Sequence, residues 1–399
     1  MPAAKTHTAP TRPAGPTTPG AVGPASARAG VGVFVGSYLP YSETFIHDQL
    51  RSHRRYRPEV FCYARVPAAE RFPFEPVHAL SGPARWLYWT LGRSRRFDQV
   101  LDRGEIALLH AHFGTNGVYA APFARAHRMP LVVTFHGHDV PALIGRSRYT
   151  LRYGRYAALA GPMLARAALL LPASRDLADK LIGQIGADPA KVEVLPLGID
   201  TARFSPAADR DPRPTVLMVG RFVAKKGHID GLHAFAQALG QVPDARLVLI
   251  GDGPLRPDYE RVIADLGIAP AVELTGVLAA DQVAAHMQRA HVLLCPSVTA
   301  PNGDVESGVI VVKEAGATAR PVIGTHHGGI PEIIVHEHTG FLVAEHAVTA
   351  MAGHLVELLR DPALSARMGA AARAHVEAHF DLATQVGALE ALYDRALGS

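Results

Sequence analysis

Two cationic side chains follow an apolar run that is typical of a buried strand. Residues 216–219 read Val-Leu-Met-Val, Gly220 follows, and Arg221 and Lys226 stand five positions apart ahead of a predicted helix. The guanidinium fork can bind two phosphate oxygens, the lysine adds a point charge, and the amides of a helix start can donate to the same anion. The spacing therefore predicts a diphosphate site, although a basic surface turn would carry the same residues.

Two carboxylates, Glu306 and Glu314, stand eight positions apart in the second half of the chain. If Glu306 lies on the loop before a helix, Glu314 is about two turns along that helix, so the two can meet different groups of one ligand. Carboxylate oxygens accept hydrogen bonds from hydroxyls, which suits a sugar or another polyol. The spacing alone also fits an ordinary exposed helix face.

Four histidines end two predicted strands of the first half. His110 and His112 end one strand, and His136 and His138 end the other. Alternate residues of a strand share a face, so each pair could begin the metal site of a metal-dependent hydrolase. That alternative requires further ligands on later strands of a single barrel. For His110 we favour a core histidine that is hydrogen-bonded within the protein.

Short apolar runs alternate with helical stretches along most of the chain. One series begins near residue 31 and a second near Thr215, after a stretch rich in Pro and Asp at residues 200–214. This alternation predicts two doubly wound α/β domains in tandem, with a ligand in the crevice between the carboxyl ends of their sheets. The predicted divisions are a disordered Pro, Ala and Thr-rich arm at 1–29, an N-terminal domain at 30–205, a C-terminal domain at 206–375, and a helix at 376–399 that packs back towards the N-terminal domain.

The composition limits the class of protein. Hydrophobic residues make up 48% of the 399 residues and charged residues 19%, which predicts packed interiors. The sequence shows neither the long apolar window of a membrane span nor the apolar core of a signal peptide, so we expect a cytoplasmic protein. Cys62 and Cys295 are too far apart for a disulfide scaffold or a clustered zinc site, and free thiols are expected.

The net charge of +4 conceals a basic first half and an acidic second half. No nucleic-acid motif accompanies the basic half, so nucleic acid is not expected as a partner. Residues 85–97, from Arg85 to Phe97, hold both tryptophans, Trp86 and Trp89, beside four arginines. This composition suits an anionic membrane surface, because aromatic rings prefer the interface and arginine attracts anionic lipid. An amphipathic helix with Trp86, Leu87 and Trp89 in the core is an equally good interpretation.

Several motifs of the second half occur together and in order. They are Gly220-Arg221 with Lys225-Lys226-Gly227, Gly251-Asp252-Gly253-Pro254, Pro296-Ser297, the pair Glu306 and Glu314, and Gly328-Gly329-Ile330-Pro331-Glu332. This set resembles the donor half of the retaining glycosyltransferases of family 4. The resemblance implies the GT-B fold, in which two Rossmann-like domains face each other across a crevice. It also implies a nucleotide diphosphate sugar as co-substrate, with no cofactor and no metal, which agrees with the lack of an Asp-x-Asp pair at a strand end.

The resemblance assigns roles to single residues. It implies Arg221 and Lys226 on the diphosphate in place of Mg²⁺, Glu314 on the ribose and Glu306 on the donor sugar, since positioned cations can stabilise a leaving diphosphate. The loop at residues 134–139 resembles one that carries a histidine beside the transferred sugar, which implies His136. The predicted catalytic residues are therefore His136, Arg221, Lys226 and Glu306. The predicted donor-binding residues are Gly220, Arg221, Lys226, Gly251, Gly253, Val277, Glu306, Ser307, Gly308, Val309 and Glu314.

The first half carries a second resemblance. Residues 40–46, Pro-Tyr-Ser-Glu-Thr-Phe-Ile, resemble a subgroup that builds bacterial exopolysaccharides and lipid-linked repeat units. The residues predicted on the acceptor side are Ser42, Glu43, His112 and Asp139. The sequence departs from the family pattern at Ser307, where glycine commonly follows the first glutamate, and at Lys313, where the family is usually apolar. The serine leaves the donor sugar open.

The sequence thus predicts a retaining, metal-independent hexosyltransferase in exopolysaccharide or lipid-linked glycan synthesis. We expect it to be cytoplasmic and peripheral at the inner face of the cell membrane, with a glycan, a lipid-linked molecule or a small molecule as acceptor. The first alternative is a glycosyltransferase that acts on a soluble natural-product scaffold. A non-catalytic nucleotide-sugar sensor and a metal-dependent hydrolase that uses His110, His112, His136 and His138 are the alternatives outside this class.

Overall fold

The computed structural model describes residues 28–40, 43–150, 153–207, 210–301 and 303–398. The predicted arm at residues 1–29 lies outside the described residues except for positions 28 and 29, and Ser42 also lies outside them.

The first domain is built on a six-stranded sheet. Its strands are β1 (Ala29–Tyr38), β2 (Tyr56–Arg65), β3 (Val77–Ala79), β4 (Ile106–His112), β5 (Leu131–Phe135) and β6 (Leu169–Pro172). Its helices are α1 (Thr44–Ser52), α2 (Pro83–Leu91), α3 (Arg95–Leu101), α4 (Gly114–Ala126), α5 (Pro141–Ile144), α6 (Gly154–Arg166) and α7 (Arg175–Gly183). Neighbouring strands are parallel, in the order β3-β2-β1-β4-β5-β6.

The second domain repeats this arrangement. Its strands are β7 (Thr215–Val219), β8 (Arg246–Ile250), β9 (Val272–Gly276), β10 (Val292–Cys295), β11 (Val322–Thr325) and β12 (Gly340–Val343). Its helices are α8 (His228–Leu239), α9 (Arg256–Asp265), α10 (Ala280–Arg289), α11 (Ile310–Ala317), α12 (Val348–Arg360) and α13 (Pro362–Phe380). Neighbouring strands are again parallel, in the order β12-β11-β10-β7-β8-β9.

The strands are apolar on both faces because helices cover both faces of each sheet. In β1, Phe34 packs on one face against Phe61, with ring centroids 5.0 Å apart. Val33 and Val35 of the same strand belong to the hydrophobic cluster on the opposite face. This two-residue alternation fixes the strand between two layers of helices.

The chain crosses between the domains twice. The first crossover follows β6 and leads through Ile199 to β7, and the second lies at Asp381, between α13 and α14 (Leu382–Leu397). The two crossovers pair with each other, because the Ile199 amide donates to the Phe380 carbonyl (2.8 Å) and the Leu382 amide donates to the Ile199 carbonyl (2.9 Å). The helix that lies against the first domain therefore begins at Leu382 rather than at residue 376.

Helix α14 packs against the first sheet. Leu389 and Tyr393 belong to the same hydrophobic cluster as Val33 and Val35. The buried Glu390 carboxylate accepts hydrogen bonds from the amides of Arg54 (2.8 Å) and Arg55 (2.9 Å). The last helix thus completes the core of the domain in which the chain begins.

The strand order reverses between β1 and β4 in the first sheet and between β7 and β10 in the second. In doubly wound sheets the ligand crevice forms at this reversal, outside the carboxyl ends of the strands. Residues that follow β4, β7 and β10 do line one cavity between the domains. The predicted pair of doubly wound domains across a crevice is therefore confirmed.

Both cysteines are buried free thiols, as predicted. Burial raises the pKa of Cys62, on β2, to about 11, which keeps this thiol protonated and unreactive.

Within the described part of the chain, every helix is too short or too polar to cross a bilayer.

Candidate active site

A cavity of about 740 Å³ lies between the carboxyl ends of the two sheets, a size suited to a small-molecule ligand. Both domains supply its walls. The predicted site residues that line it are Glu43, His136, Gly220, Arg221, Lys226, Glu306, Ser307, Gly308, Val309 and Glu314. Further lining residues that sequence reasoning missed include Phe45, Phe113, Tyr153 and Lys225. Most of the predicted site is thus brought together around one space.

The loop after β7 delivers a lysine to this cavity. A Cβ at Gly220 would approach Lys226 Cε to 3.0 Å, so the glycine leaves room for the lysine stem. Gly227, with φ +59°, allows the chain to pass so close to Pro296 that a Cβ would lie 1.8 Å from its carbonyl oxygen. Helix α8 begins directly after this glycine, so its positive end lies at the same edge of the sheet as Lys226.

Lys226 forms a largely buried ion pair with Glu306. The Lys226 Nζ lies 3.1 Å from Glu306 Oε2, and Lys225 Nζ lies 3.6 Å from Oε1. Burial acts against both charges, but their mutual attraction outweighs it, so the pKa of Lys226 is raised and that of Glu306 is lowered. Glu306 Oε1 is buried and accepts no hydrogen bond from any residue that the structure describes. The pair therefore presents an ionised carboxylate whose Oε1 lies near Lys225 but accepts no hydrogen bond from the described residues.

A histidine that sequence reasoning did not assign holds the Glu306 loop. The Glu306 amide donates to His327 Nε2 (2.9 Å), and this fixes the imidazole proton on Nδ1, which donates to Glu345 Oε1 (2.6 Å). Glu345 also accepts from the Thr299 amide (2.9 Å). Burial raises the pKa of Glu345, but these hydrogen bonds outweigh burial and the net pKa is lowered. The only indication of this role in the sequence is that His327 directly precedes the glycine pair Gly328-Gly329.

Arg221 is an exposed cation on the wall of the same cavity. None of the described residues forms an ion pair or hydrogen bond with its guanidinium. In contrast to Lys226, which is engaged by Glu306, Arg221 is thus open to an anionic ligand.

Two further carboxyl groups line the cavity, Glu43 at the start of α1 and Glu314 on α11. Burial raises the pKa of each to about 7. For Glu314, Asp48 raises the pKa further, while Arg203 and Lys226 lower it. Both groups therefore change charge near neutral pH, unlike Glu306.

His112 and His136 form a stacked pair, with ring centroids 5.2 Å apart and His112 Nδ1 2.9 Å from His136 Nε2. Burial lowers the pKa of His112 to about 3, and burial with the neighbouring His112 and His138 places that of His136 well below its ordinary value. Both rings are therefore neutral at physiological pH. Their outer nitrogens, His112 Nε2 and His136 Nδ1, are buried without a hydrogen-bond partner among the described residues.

His110 is a core residue, in agreement with the interpretation favoured from sequence. Its Nδ1 lies 2.6 Å from the Tyr393 hydroxyl and its Nε2 lies 2.7 Å from the Thr134 hydroxyl. Among the described residues, no group of three or more His, Cys, Asp or Glu side chains is arranged to hold a metal ion. The single barrel that the hydrolase alternative requires is also not formed, since the strands make two open sheets.

Five predicted site residues that the structure describes do not line the cavity, and His112, which lies against His136, is one of them. Asp139 is fully buried and accepts hydrogen bonds from the amides of Gly114 (2.9 Å) and Gly137 (3.0 Å), so it shapes the loops that carry His112 and His136. The remaining three are Gly251, Gly253 and Val277. The two glycines let their loop pack on the loop after β7, because Cβ atoms there would meet the carbonyls of Gly220 (2.0 Å) and Phe222 (2.7 Å). The Val277 side chain is exposed.

Ser307, the departure from the family pattern, faces the first domain. Its hydroxyl lies 3.3 Å from that of Ser174. Nearby, the Glu332 carboxylate accepts hydrogen bonds from the amides of Arg175 (2.8 Å) and Asp176 (3.2 Å), the first residues of α7. Ser307 and Glu332 thus join the second domain to the start of a helix in the first.

Helix α2 presents an apolar surface to solvent. Trp86 is 67% exposed, Trp89 59% and Leu91 60%, so the alternative that placed the tryptophans in the core is wrong. Residues 85–97 are not one helix, because Gly92 ends α2 in the left-handed conformation. Phe97, on α3, is fully buried and belongs to the core.

Two family descriptions match the chain. Glycosyltransferase Family 4 matches residues 43–203, and Glycosyl transferases group 1 matches residues 200–375. The two matches together cover every strand of both sheets except β1.

Curated relatives carry the same family resemblance. The chain is 32% identical over 254 residues to a putative colanic acid biosynthesis glycosyltransferase of Salmonella typhimurium, covering 63% of this chain and 61% of that protein. It is 37% identical over 202 residues, 48% of this chain and 52% of the relative, to a GDP-mannose-dependent phosphatidylinositol monomannoside mannosyltransferase of Mycobacterium tuberculosis. A monoacylated phosphatidylinositol monomannoside mannosyltransferase of Corynebacterium glutamicum is 30% identical over 282 residues, 65% of this chain and 71% of that protein.

Among solved structures, Anabaena HepE in complex with UDP matches with a TM-score of 0.74 and 20% identity, covering 92% of this chain and all of that one. Sucrose-phosphate synthase from Thermosynechococcus elongatus matches with a TM-score of 0.73. At this level of identity the likeness shows a shared fold, the GT-B fold. Fold, family matches and relatives agree, and the chain belongs to the glycosyltransferases of family 4.

Proposed function

We propose that this protein is a retaining glycosyltransferase that moves a sugar from a nucleotide diphosphate sugar to an acceptor hydroxyl, without a metal ion, in exopolysaccharide or lipid-linked glycan synthesis. The relatives named for colanic acid biosynthesis and as phosphatidylinositol monomannoside mannosyltransferases support this pathway class. The alternative of a soluble natural-product acceptor has no structural observation in its favour.

One observation carries the proposal. Glu306 Oε1 and His136 Nδ1 are buried polar atoms that lack a hydrogen-bond partner among the described residues, and they belong to opposite domains that share the cavity holding Lys226 and Arg221. Unsatisfied buried polar atoms are costly, and a ligand rich in hydroxyls would satisfy both. The adjacent cations suit the diphosphate to which such a sugar is attached.

The His112 and His136 pair fits the same role. If His112 Nδ1 carries its proton, it donates to His136 Nε2, and the proton of His136 then lies on Nδ1. Because His136 lines the cavity and His112 does not, this tautomer places the free N–H where a sugar hydroxyl can accept it. The opposite tautomer would bury an N–H of His112 away from any ligand.

In the proposed reaction the acceptor oxygen forms a bond to the anomeric carbon, and the bond from that carbon to the β-phosphate oxygen breaks. The acceptor proton passes to a phosphate oxygen on the same face, and the nucleoside diphosphate leaves with the electron pair. Arg221 and Lys226 would stabilise the charge that develops on the leaving oxygen, which is the task a metal ion performs elsewhere. Glu306 would orient the sugar and keep Lys226 in place.

The donor test is thermal stabilisation by UDP-, GDP- and ADP-sugars in the presence of EDTA. A ligand that binds the native state raises the melting temperature by mass action. HepE was solved with UDP, and the mycobacterial relative is named as GDP-mannose-dependent, so both bases belong in the panel. One clear responder would support a metal-independent donor site, whereas no response together with destabilisation by EDTA alone would contradict it.

The stereochemical test uses the donor so identified. Proton NMR of the product, recorded before mutarotation or on a glycoside that cannot mutarotate, gives the anomeric configuration. We expect the configuration of the donor to be retained. Inversion would refute the proposed same-face attack, and turnover that requires added Mg²⁺ would refute the role given to Arg221 and Lys226.

We further propose that α2 docks the protein on the anionic inner face of the cell membrane. Trp86, Trp89 and Leu91 are exposed, and the side chains of Arg93 and Arg95 are exposed directly beyond them. Aromatic and apolar side chains enter the interfacial region, while arginines attract anionic lipid. This combination supports lipid rather than a protein partner as the occupant.

The position of α2 suits an acceptor that resides in the membrane. The Arg155 guanidinium donates to the Thr90 carbonyl, and the Tyr119 hydroxyl donates to the Trp89 carbonyl (3.5 Å). Arg155 lies at the start of α6, two residues from Tyr153, which lines the cavity. Helix α2 is thus hydrogen-bonded to the helix that begins beside Tyr153, at the wall that the first domain contributes to the cavity.

The two tryptophans of the chain both lie on α2, so intrinsic tryptophan fluorescence reports on this helix alone. We expect a blue shift and co-sedimentation with phosphatidylglycerol vesicles, and little of either with phosphatidylcholine vesicles. Trp86→Ala with Trp89→Ala should weaken co-sedimentation, while Val277→Ala, an exposed apolar residue of the second domain, should not. Equal binding of the double variant and the parent would refute the proposal.

A further inference from the structure

A buried lysine lies on α11, the helix that carries Glu314, on a face that does not line the cavity. Lys313 is on α11, next to Glu314, yet only Glu314 lines the cavity. The Lys313 side chain is 1% exposed. Its Nζ donates a hydrogen bond to the Leu197 carbonyl (2.9 Å) and lies 4.7 Å from the centre of the Phe380 ring. A buried ammonium with so few partners is expensive, so its presence calls for an explanation.

The two partners of Lys313 belong to the two crossovers between the domains. Leu197 precedes Ile199 on the first crossover, and Phe380 ends α13 directly before the second. The crossovers are themselves paired through the amides of Ile199 and Leu382. Lys313 is therefore a direct link from the helix that carries Glu314 to both segments about which the domains can move.

Leu197 also reaches the cavity. It lines the cavity wall, and a Cβ at Gly308 would lie 2.7 Å from Leu197 Cδ1. The crossover is thus held from two sides, by the loop that follows Glu306 and by Lys313 on the helix after it. A shift of the crossover would move the cavity wall.

We propose that Lys313 is a positioning residue that fixes the interdomain crossovers against the donor helix, and so sets the geometry in which the two domains close on their ligands. The hinge role does not depend on the proposed function. Only the expected effect of Lys313 on turnover rests on the proposed glycosyltransferase activity. Hinge segments absorb domain motion at a few positions, and small misplacements of catalytic groups lower turnover strongly.

The charge of Lys313 provides a signature. Burial lowers the pKa of Lys313 to about 7, and Glu332 opposes this. A local opening that hydrates the amine restores its ordinary pKa, so the open form binds more protons than the closed form at pH between about 7 and 10.5. Opening of the hinge should therefore become harder as the pH rises through this window.

Other ionisable side chains near Lys313 and the crossovers include Asp200, Arg203, Glu332, His375, His379 and Asp381, together with Arg373, which donates to the carbonyls of Thr201 and Phe204. The variant Lys313→Met retains all of them and has a similar side-chain length. Lys191→Met is the matched control, because Lys191 also donates to a backbone carbonyl, that of Ala165 (2.7 Å), but at an exposed site away from the hinge.

The experiment is amide hydrogen exchange of peptides that cover residues 196–204 and 378–384, corrected for intrinsic exchange rates, at pH 7, 8 and 9. In the parent and in Lys191→Met, protection should rise with pH by up to about tenfold per unit. In Lys313→Met, protection of these two segments should be lower at pH 9 and independent of pH. The same pH dependence in Lys313→Met and the parent would overturn the proposal.

If Lys313→Met does not fold, hydrogen exchange of the parent at the three pH values tests the proposal by itself. Protection of both segments that does not change between pH 7 and 9 would overturn the hinge role. With the donor from the stabilisation panel, Lys313→Met should lower kcat by roughly tenfold and change the donor KM less. Altered exchange in a protein that transfers no sugar would uphold the hinge and refute the proposed activity. Normal exchange with normal kcat would refute the hinge alone.

Discussion

The Lys226 ammonium lies 3.1 Å from the Glu306 carboxylate, and both side chains are largely buried at the cavity between the two domains. A buried ion pair of this kind is costly to desolvate and contributes little to stability by itself. Its value is in keeping two opposite charges ionised and positioned, while Glu306 Oε1 accepts no hydrogen bond from the described residues and can accept one from a ligand. This pair is the basis of the first prediction.

Glu306→Gln and Lys226→Met should each lower kcat by at least about 10²-fold, the order expected when an electrostatic contact to the transition state is lost. Glu273→Gln, at an exposed position of β9, is the control and should leave kcat unchanged. Steady-state kinetics with the identified donor measure both. Near-normal turnover in either variant would remove that residue from the catalytic site.

The same pair should show coupling in stability. Lys226→Met leaves the buried Glu306 carboxylate without its main partner, which is strongly destabilising, whereas the double variant with Glu306→Gln removes the unpaired charge. We therefore expect the double variant to melt at a higher temperature than Lys226→Met alone. Additive losses in the melting temperature would show that the two charges do not interact.

The stacked histidines should respond differently to two substitutions at His112. Asparagine can place an amide near the position of Nδ1 and keep the hydrogen bond to His136, but leucine cannot. We expect kcat to fall by roughly 10²-fold in His112→Leu and much less in His112→Asn. Circular dichroism and melting temperature verify that both variants are folded. Equal activity of the two variants would show that the imidazole pair does not orient His136.

The raised pKa values of Glu43 and Glu314 make stability depend on pH in a defined direction. Each folded-state pKa, about 7, lies above the ordinary value of 4.5, so these groups favour the folded state at low pH and lose this contribution as the pH rises through 7. At pH 8 the glutamates are ionised at a cost that glutamine does not bear. The melting temperature of Glu43→Gln should therefore be at least about 2 °C above that of the parent at pH 8. At pH 4.5 the two proteins should have the same melting temperature. A larger gap at low pH would contradict the sign.

The contact between Glu332 and α7 predicts an effect on stability away from the chemistry. Glu332 accepts hydrogen bonds from the first amides of the helix, as a capping residue would, but from the other domain. Glu332→Ala should cost about 1 kcal/mol, since both a cap and a favourable helix-dipole contact are lost. Denaturant unfolding measures the loss. Glu337→Ala, at an exposed position nearby in sequence, should cost much less, and equal losses would contradict the cap.

The features predictable from sequence are those that local order encodes. Alternation of apolar runs and helical stretches defined the two doubly wound domains, because each strand that is buried on both faces needs a continuous apolar run. Arg221, Lys226 and Glu306 lie on loops that follow predicted strands, and Glu314 lies on the predicted helix after Glu306. These residues converge because the carboxyl ends of parallel strands meet at one edge of the sheet.

Residue pairs distant in sequence were not predictable in this way. His327 contacts Glu306 from 21 positions further along the chain, and Glu345 contacts His327 from a further 18 positions. No periodicity marks such contacts. Ser307 meets Ser174 across 133 positions. From the sequence, a serine at position 307 in place of glycine left the donor sugar open, whereas the structure places the Ser307 hydroxyl against the other domain.

The sequence by itself determined the family, the two sheets and the loops that supply the cavity, since these depend on the order of residue types along the chain. Tertiary structure alone decided which side of each helix is covered. It left Trp86 and Trp89 in solvent, buried Lys313 against both crossovers and enclosed His110 between two hydroxyls. The physical reason is that an amphipathic pattern shows that a face must be covered, but only the packing of distant segments shows which one covers it.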